Sequence, residues 1–150
     1  MDSIDKKILQ QLQSNGEQSV SEIADICGLS KSACWRRIQK LEELGVIKER
    51  TVLLNARALG LKLTVYISIR TNQHNTEWAT RFKEITDGLE NILEVHRMSG
   101  DLDYLIKAVV RDMQDYDHLY QRLIRADLYD VSASFVMEEL KVTTHLPLDS

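Results

Sequence analysis

Proline occurs once in these 150 residues, at Pro147, and glycine only six times. Ordered elements must therefore run nearly end to end, which excludes long linkers, low-complexity tracts and disordered arms. Cysteine is as sparse. Cys27 and Cys34 sit in apolar company with six residues between them, neither a disulfide framework nor a zinc spacing, and they read as core thiols. No stretch approaches the roughly 18 consecutive apolar residues of a membrane span. The opening Met1-Asp2-Ser3-Ile4-Asp5 lacks the basic and then apolar profile of a secretion signal, so a soluble, cytoplasmic protein is expected. An excess of one charge is missing too. Lys and Arg total 19 against 23 Asp and Glu, a net of −4, and that balance alone gives no reason to expect a nucleic-acid partner. A hydrophobic fraction of 43% suffices for one domain or two small ones.

What is present begins with three short helical patterns. Ile4, Ile8, Leu9 and Leu12 recur at three- to four-residue spacing and stop at Asn15-Gly16. A second pattern opens at Ser19, which stands in capping-box relation to Glu22, buries Ile23, Ala24 and Ile26 or Cys27, and ends at Gly28. Ser30 is a good N-cap for a third, with Cys34, Ile38 and Leu41, and Leu44 at its margin, on its apolar stripe and Gly45 as its stop. The short Cys27-Gly28-Leu29-Ser30 connection lets the second and third helices meet steeply, as in a helix-turn-helix. Residues 1–45 are expected to form this unit.

Residues 46–60 read as a connector. Val46-Ile47 and Thr51-Val52-Leu53-Leu54 are β-prone, which suits a small wing or a hinge strand. From Leu61 the period changes to two, with Leu63, Val65, Ile67 and Ile69 alternating against Thr64, Tyr66, Ser68 and Arg70. A helix follows on Trp78, Phe82, Ile85 and Leu89. Two strands, Ile92–Met98 and Leu102–Val110, are then joined at Ser99-Gly100-Asp101. A helix on Met113, Tyr116, Leu119, Tyr120 and Leu123 precedes a last strand over Val131–Val142. The order β-α-β-β-α-β over residues 61–150 is ferredoxin-like, and the fold class is α+β. Its helices cover one sheet face, so the other is expected to be buried against a partner chain.

Charge is divided unevenly between these parts. Residues 1–60 carry 9 basic and 8 acidic groups, whereas residues 61–150 carry 10 and 15. Residues 31–40 hold Lys31, Arg36, Arg37 and Lys40 with no acid, a positive focus on the third helix. A helix fits the major groove of B-DNA, and Ser30, Lys31 and Ser32 stand at its amino end, where free N–H groups favour phosphate. Lys31, Ser32, Trp35, Arg36, Arg37 and Lys40 are expected to face outward; arginine can grip guanine edges, and lysine or serine can take base or phosphate.

In the second part, Ser99-Gly100-Asp101-Leu102-Asp103-Tyr104-Leu105 combines a glycine bend with two carboxylates on one side of an extended segment. Such a corner suits a small zwitterion: a carboxylate for its ammonium, free N–H groups for its carboxylate. It equally suits a plain hairpin turn. No His, Cys, Lys or nucleotide-binding loop completes a catalytic constellation around the pair. His96, His118 and His145 show no ligand spacing, so neither metal nor cofactor is expected.

Three stretches carry a family likeness. They are Ile4-Asp5-Lys6-Lys7-Ile8-Leu9; Gly28-Leu29-Ser30 through Cys34 and Arg36-Arg37-Ile38 to Gly45-Val46-Ile47; and Ser99-Gly100-Asp101 with Asp103-Tyr104-Leu105. In order and spacing the chain resembles the Lrp/AsnC, or feast/famine, transcription regulators from Ile4 to Leu148. The resemblance implies a helix-turn-helix joined to an αβ ligand-sensing domain, dimers assembling into octamers, and double-stranded DNA binding modulated by an amino acid. It assigns Ser30, Ser32, Trp35, Arg36, Arg37 and Lys40 to the DNA-facing helix, and Gly100, Asp101 and Asp103 to the effector loop. Two positions depart from the family: Lys31 stands where proline is frequent, and Trp35 where an aliphatic residue is frequent. Cys34-Trp35-Arg36-Arg37, Glu77-Trp78 to Arg81-Phe82, and Thr143-Thr144-His145-Leu146-Pro147 are similar to a branch of cysteine-responsive activators, which implies cysteine as effector. Two other classes stay open on the residues alone. One is an amino-acid-sensing oligomer whose helical unit binds protein rather than DNA; the other is a metabolic enzyme, disfavoured by the missing constellation.

Overall fold

A computed structural model describes residues 1–148, which form two compact units. The first comprises Met1–Leu53 together with residues 141–148; the second is Leu54–Leu140.

The first unit holds α1 (Ser3–Ser14), α2 (Val20–Cys27) and α3 (Lys31–Glu43). Each begins where a side chain can satisfy an orphan N–H. Asp2 and Asp5 form a reciprocal capping box on α1, Ser19 and Glu22 another on α2, and Ser30 accepts from the Ala33 N–H at 3.2 Å on α3. Gly28 (φ 68°) turns the chain out of α2 while the Leu29 N–H closes on the Ala24 carbonyl at 2.8 Å. A left-handed φ of this kind costs glycine nothing, and it sets the tight corner between α2 and α3. Ile8, Leu9, Ile23, Ala24, Cys34, Ile38 and Leu41 form the shared core.

The segment from Lys141 belongs to this unit, although the sequence placed it with the sheet. Leu148 packs against the three-helix core, and the Gln13 side chain receives the Leu146 N–H and donates to the Leu146 carbonyl, both at 3.0 Å. The β-prone stretch after α3 forms neither wing nor hinge strand among the described residues. Thr51–Leu54 is irregular, with Val52, Leu53 and Leu54 exposed. A strand needs a hydrogen-bonding neighbour, and this segment pairs with none of the four strands of the sheet.

The second unit is the expected βαββαβ arrangement. β1 (Leu63–Arg70), α4 (Thr76–Asp87), β2 (Ile92–Arg97), β3 (Tyr104–Val110), α5 (Met113–Leu123) and β4 (Asp130–Phe135) build an antiparallel sheet in the order β2-β3-β1-β4. β4 ends at Phe135 rather than Val142, because β1, its partner, is matched only as far back as Val65. Val65, Ile67 and Ile69 of β1 and Ile106 and Ala108 of β3 share one core with Trp78, Phe82, Leu119 and Leu123 of the helices. Neither α4 nor α5 of this unit covers the opposite sheet face. It carries one row of Glu94, Lys107, Tyr66 and Ser134 in register, and a second of His96, Leu105, Ser68 and Ser132. On that face Glu94 accepts from His96 at 3.0 Å and lies 3.7 Å from the Lys107 ammonium. These contacts, led by His96, hold the Glu94 carboxyl below its ordinary pKa.

Candidate functional site

The third helix is oriented by its apolar stripe. Cys34, Ile38 and Leu41 are buried, so at about 100° per residue the opposite arc takes Ser32, Arg36 and Lys40, with Trp35 at its edge, while Lys31, three before Cys34 and on the stripe's own side, reaches solvent because it opens the helix. All five are exposed. Lys31, Arg36 and Lys40 form no salt bridge among the described residues, which leaves three cations free for an anionic partner. Ser30 is exposed as well, but its hydroxyl is engaged as the N-cap and lies 3.3 Å from that of Ser32. Trp35 is 52% exposed and, with Lys31 and Ser32, lines a shallow, open, mainly apolar depression at the amino end of α3.

Arg37 behaves differently from its neighbour Arg36. Its Nη1 donates to Asp2 at 2.8 Å and to Asp5 at 2.7 Å, which ties α3 to the first turn of α1. The Asp5 N–H and then the guanidinium hold the Asp2 carboxyl below its ordinary pKa, and the carboxylates push that of Arg37 up. Arg37 was grouped with the outward residues by the run of charge. It stands three after Cys34 and four before Leu41, the spacing of the buried stripe, and this explains its inward engagement. Gln39 was passed over. It lies four residues after Trp35 and three after Arg36, on the same arc, half-buried and 3.4 Å from Glu42; helix spacing alone would have found it.

Cys34 is buried and Cys27 half-buried, and burial pushes both thiols' pKa values up, away from the reactive thiolate.

The acidic corner of the second unit follows β2. Gly100 has φ 99°, a value that side-chain-bearing residues rarely adopt. Asp103 is not a free carboxylate: its Oδ2 accepts from the Thr71 N–H at 2.8 Å, while its own N–H donates to the Ile69 carbonyl and its carbonyl accepts from Met98. The bend is further held by Arg70, whose Nε donates to the Asp101 carbonyl at 2.8 Å. The Asp101 side chain is exposed, with no hydrogen bond among the described residues. The corner is thus a rigid loop pinned to the end of β1, with one carboxylate used internally and one presented outward. Arg70 and Thr71 are the supporting residues that the sequence did not single out; Arg70 reads only as the end of the alternating strand β1, and Thr71 follows it. Among the described residues no three metal-ligating side chains cluster.

Comparison with known proteins follows this division. Residues 1–48 match a winged helix-turn-helix DNA-binding family and residues 64–146 the Lrp/AsnC ligand binding domain. A glutamate uptake regulatory protein of Zymomonas mobilis is 44% identical over 149 residues, covering 99% of this chain and 91% of the relative. An AsnC family transcriptional regulator from Agrobacterium tumefaciens has the same fold with a TM-score of 0.92 at 47% identity, covering 98% of this chain and 97% of that one. A transcriptional regulator of Neisseria meningitidis, solved as an L-methionine complex, also reaches a TM-score of 0.92, at 30% identity over 99% of this chain and 97% of the other. From the capped helices of the first unit to the pinned acidic loop of the second, the chain belongs to the Lrp/AsnC family of DNA-binding transcriptional regulators with an amino-acid ligand domain.

Proposed function

We propose that α3 enters the major groove of duplex DNA, with Lys31, Ser32, Trp35, Arg36 and Lys40 toward bases and phosphates, Ser30 shaping the helix start and Arg37 fixing the helix to α1. The observation that carries this reading is the exposed run itself: Arg36 and Lys40 on the outward arc and Lys31 at the helix start, all unpaired among the described residues, with no carboxylate among residues 31–40. Two chains pair through the uncovered sheet face, so that two recognition helices meet successive turns of one duplex, and dimers assemble further, up to an octamer. An amino acid binds at the Gly100-Asp101 bend, held by the outward carboxylate of Asp101 while Asp103 keeps the loop in shape. Its binding shifts the assembly or the DNA affinity, for which a few kcal/mol of coupling suffices. Cysteine is the effector that the Cys34-Trp35-Arg36-Arg37 branch implies; methionine is the amino acid in the Neisseria complex. The protein acts in the cytoplasm, by binding and without catalysis. The domains divide as residues 1–45 for DNA, 46–60 as hinge and 61–150 for effector and assembly, with the segment from Lys141 serving the DNA-binding unit.

The test is selection of duplexes from a random-sequence pool by the full-length protein, followed by titration of the selected duplex with each of the twenty amino acids. Enrichment of one motif with two half-sites, and a shift in its affinity by one or a few amino acids, is expected. Failure to enrich any duplex would overturn the DNA reading, and equal affinity in all twenty titrations the effector reading.

A further inference from the structure

The outward arc of α3 contains one large apolar side chain. Trp35 exposes 52% of its surface, although a tryptophan removed from water would contribute substantially to a core. It lies one turn after Lys31 and Ser32, and the three line the open depression at the helix start. Its indole N–H has no hydrogen-bond partner among the described residues. The helix therefore offers an aromatic face in its amino-terminal half, the half that reaches base edges in helix-turn-helix docking.

The one alkyl group on the floor of the major groove is the C5-methyl of thymine; the donors and acceptors there call for polar partners, and the C5–H of cytosine offers far less apolar surface. An indole face pressed on cytosine, guanine or adenine edges would desolvate polar atoms without replacing their partners. Against thymine it buries a methyl group. We propose that Trp35 is a specificity-determining residue of this regulator, selecting thymine at one base pair of each half-site by contact with its C5-methyl. The inference rests on the proposed docking of α3 in the major groove. It assigns discrimination to Trp35 and leaves the bulk of the affinity to Lys31, Arg36 and Lys40, which meet the phosphates and the polar edges.

The experiment uses the full chain and the duplex selected from the random pool. Each thymine is replaced in turn by deoxyuridine, which removes the methyl group and leaves the Watson–Crick edge intact, and affinity is read by fluorescence anisotropy. For the wild-type protein, one position in each half-site is expected to lose about three- to fivefold in affinity. Trp35→Ala should bind thymine and deoxyuridine duplexes equally, whereas Trp35→Leu, which keeps an apolar contact, should retain part of the difference. Unchanged far-ultraviolet circular dichroism of the variants keeps the comparison interpretable, and the half-exposed position makes folding of both expected. The inference is overturned if no deoxyuridine position weakens the wild type, or if Trp35→Ala keeps the same discrimination. It is equally overturned if Trp35→Ala leaves duplex binding untouched and changes only the assembly state in analytical ultracentrifugation, which would make Trp35 a protein contact. Arg36→Ala separates this failure from that of the docking itself: weakened binding with no deoxyuridine effect removes the role of Trp35 alone, whereas binding indifferent to both changes removes the docking of α3.

Discussion

Arg37 Nη1 lies 2.7 Å from the Asp5 Oδ1, joining the middle of α3 to the first turn of α1 across 32 residues of sequence. The same nitrogen reaches Asp2. A guanidinium already held by two carboxylates of its own chain is expected to set the pose of α3 more than to meet phosphate. Arg37→Met should lower the melting temperature of the first unit by on the order of a few degrees and leave the salt dependence of DNA binding nearly unchanged. Differential scanning calorimetry and anisotropy titrations at several salt concentrations check both halves. A change in salt dependence as large as that of Arg36→Ala would place Arg37 on the DNA instead.

The two capping boxes give the first unit an acid limit. Asp2 is lowered from 3.8 by the Asp5 N–H and then Arg37, and Glu22 is lowered from 4.5 by the backbone and hydroxyl of Ser19. A depressed carboxyl contributes its stability above the unfolded-state value and loses it as pH falls through the folded-state one. Thermal stability of this unit should therefore hold from neutral pH down to about 5 and decline below about 4.5. Asp2→Asn and Glu22→Gln should each flatten the decline, as read from melts followed between pH 3 and 7.

Much of this architecture is written locally, and what is not written has a physical cause. Ser19 with Glu22, Ser30, Gly28 and Gly45 mark helix ends because capping involves residues only three or four apart, and the change from a period near 3.6 to one of two announces β1. Arg36 and Arg37 look alike as charge. The stripe of Cys34, Ile38 and Leu41 separates them, because one points away from it and the other along its flank. The hydrogen bonds between Gln13 and Leu146 span 133 positions and leave no periodic trace. Thr51–Leu54 has strand propensity, yet propensity yields a strand only where a neighbour completes its hydrogen bonds. Asp103 reads as a carboxylate of the bend, but the bond its Oδ2 accepts from the Thr71 N–H spans 32 positions and leaves no local trace.

Arg36 and Lys40 are exposed and unpaired among the described residues, and cations of this kind release counterions when they meet phosphate. If both touch the backbone, Arg36→Ala and Lys40→Ala should each reduce the slope of log affinity against log salt by about 0.9. Melting curves should not move, since neither side chain is buried. An unaltered slope in both variants would remove them from the phosphate contacts; an unaltered slope with relaxed sequence preference would move Arg36 to a guanine edge.

The tail that returns to α1 contributes to the unit that it joins. Leu148 packs on the three-helix core and the Gln13 amide pairs both backbone polar groups of Leu146. Leu148→Ala should cost about 1–2 kcal/mol, below the roughly 2–5 kcal/mol of a fully buried leucine, because the site is half-buried. Gln13→Leu should cost about 1 kcal/mol for two exposed hydrogen bonds. Hydrogen exchange should quicken along α1 in both variants and stay unchanged in β1 and β3, a pattern that mass spectrometry of peptic fragments resolves. Equal quickening in the sheet would mean that the tail does not act on the first unit specifically.

Asp101 and Asp103 should come apart under mutation, although they stand two residues apart in one loop. Asp103 accepts from Thr71 in a partly buried bond, so Asp103→Ala leaves an N–H without its partner and should cost about 1–3 kcal/mol of the second unit's stability. Asp103→Asn keeps an acceptor oxygen and should cost less. Asp101 presents its carboxylate outward, and Asp101→Asn should leave the melting temperature where it was while weakening the amino acid that shifts DNA binding, by about tenfold if a charged hydrogen bond to the ammonium is lost. Gly100→Ala is the sharper test of the loop, because φ 99° is strained for any residue with a Cβ although nothing lies within 4 Å of that position. If the bend itself supplies the N–H groups that hold the effector carboxylate, this substitution should weaken the ligand more than it lowers stability. Isothermal titration calorimetry beside thermal melts distinguishes the outcomes, and loss of stability in Asp101→Asn equal to that in Asp103→Ala would show that both carboxylates serve the loop rather than the ligand.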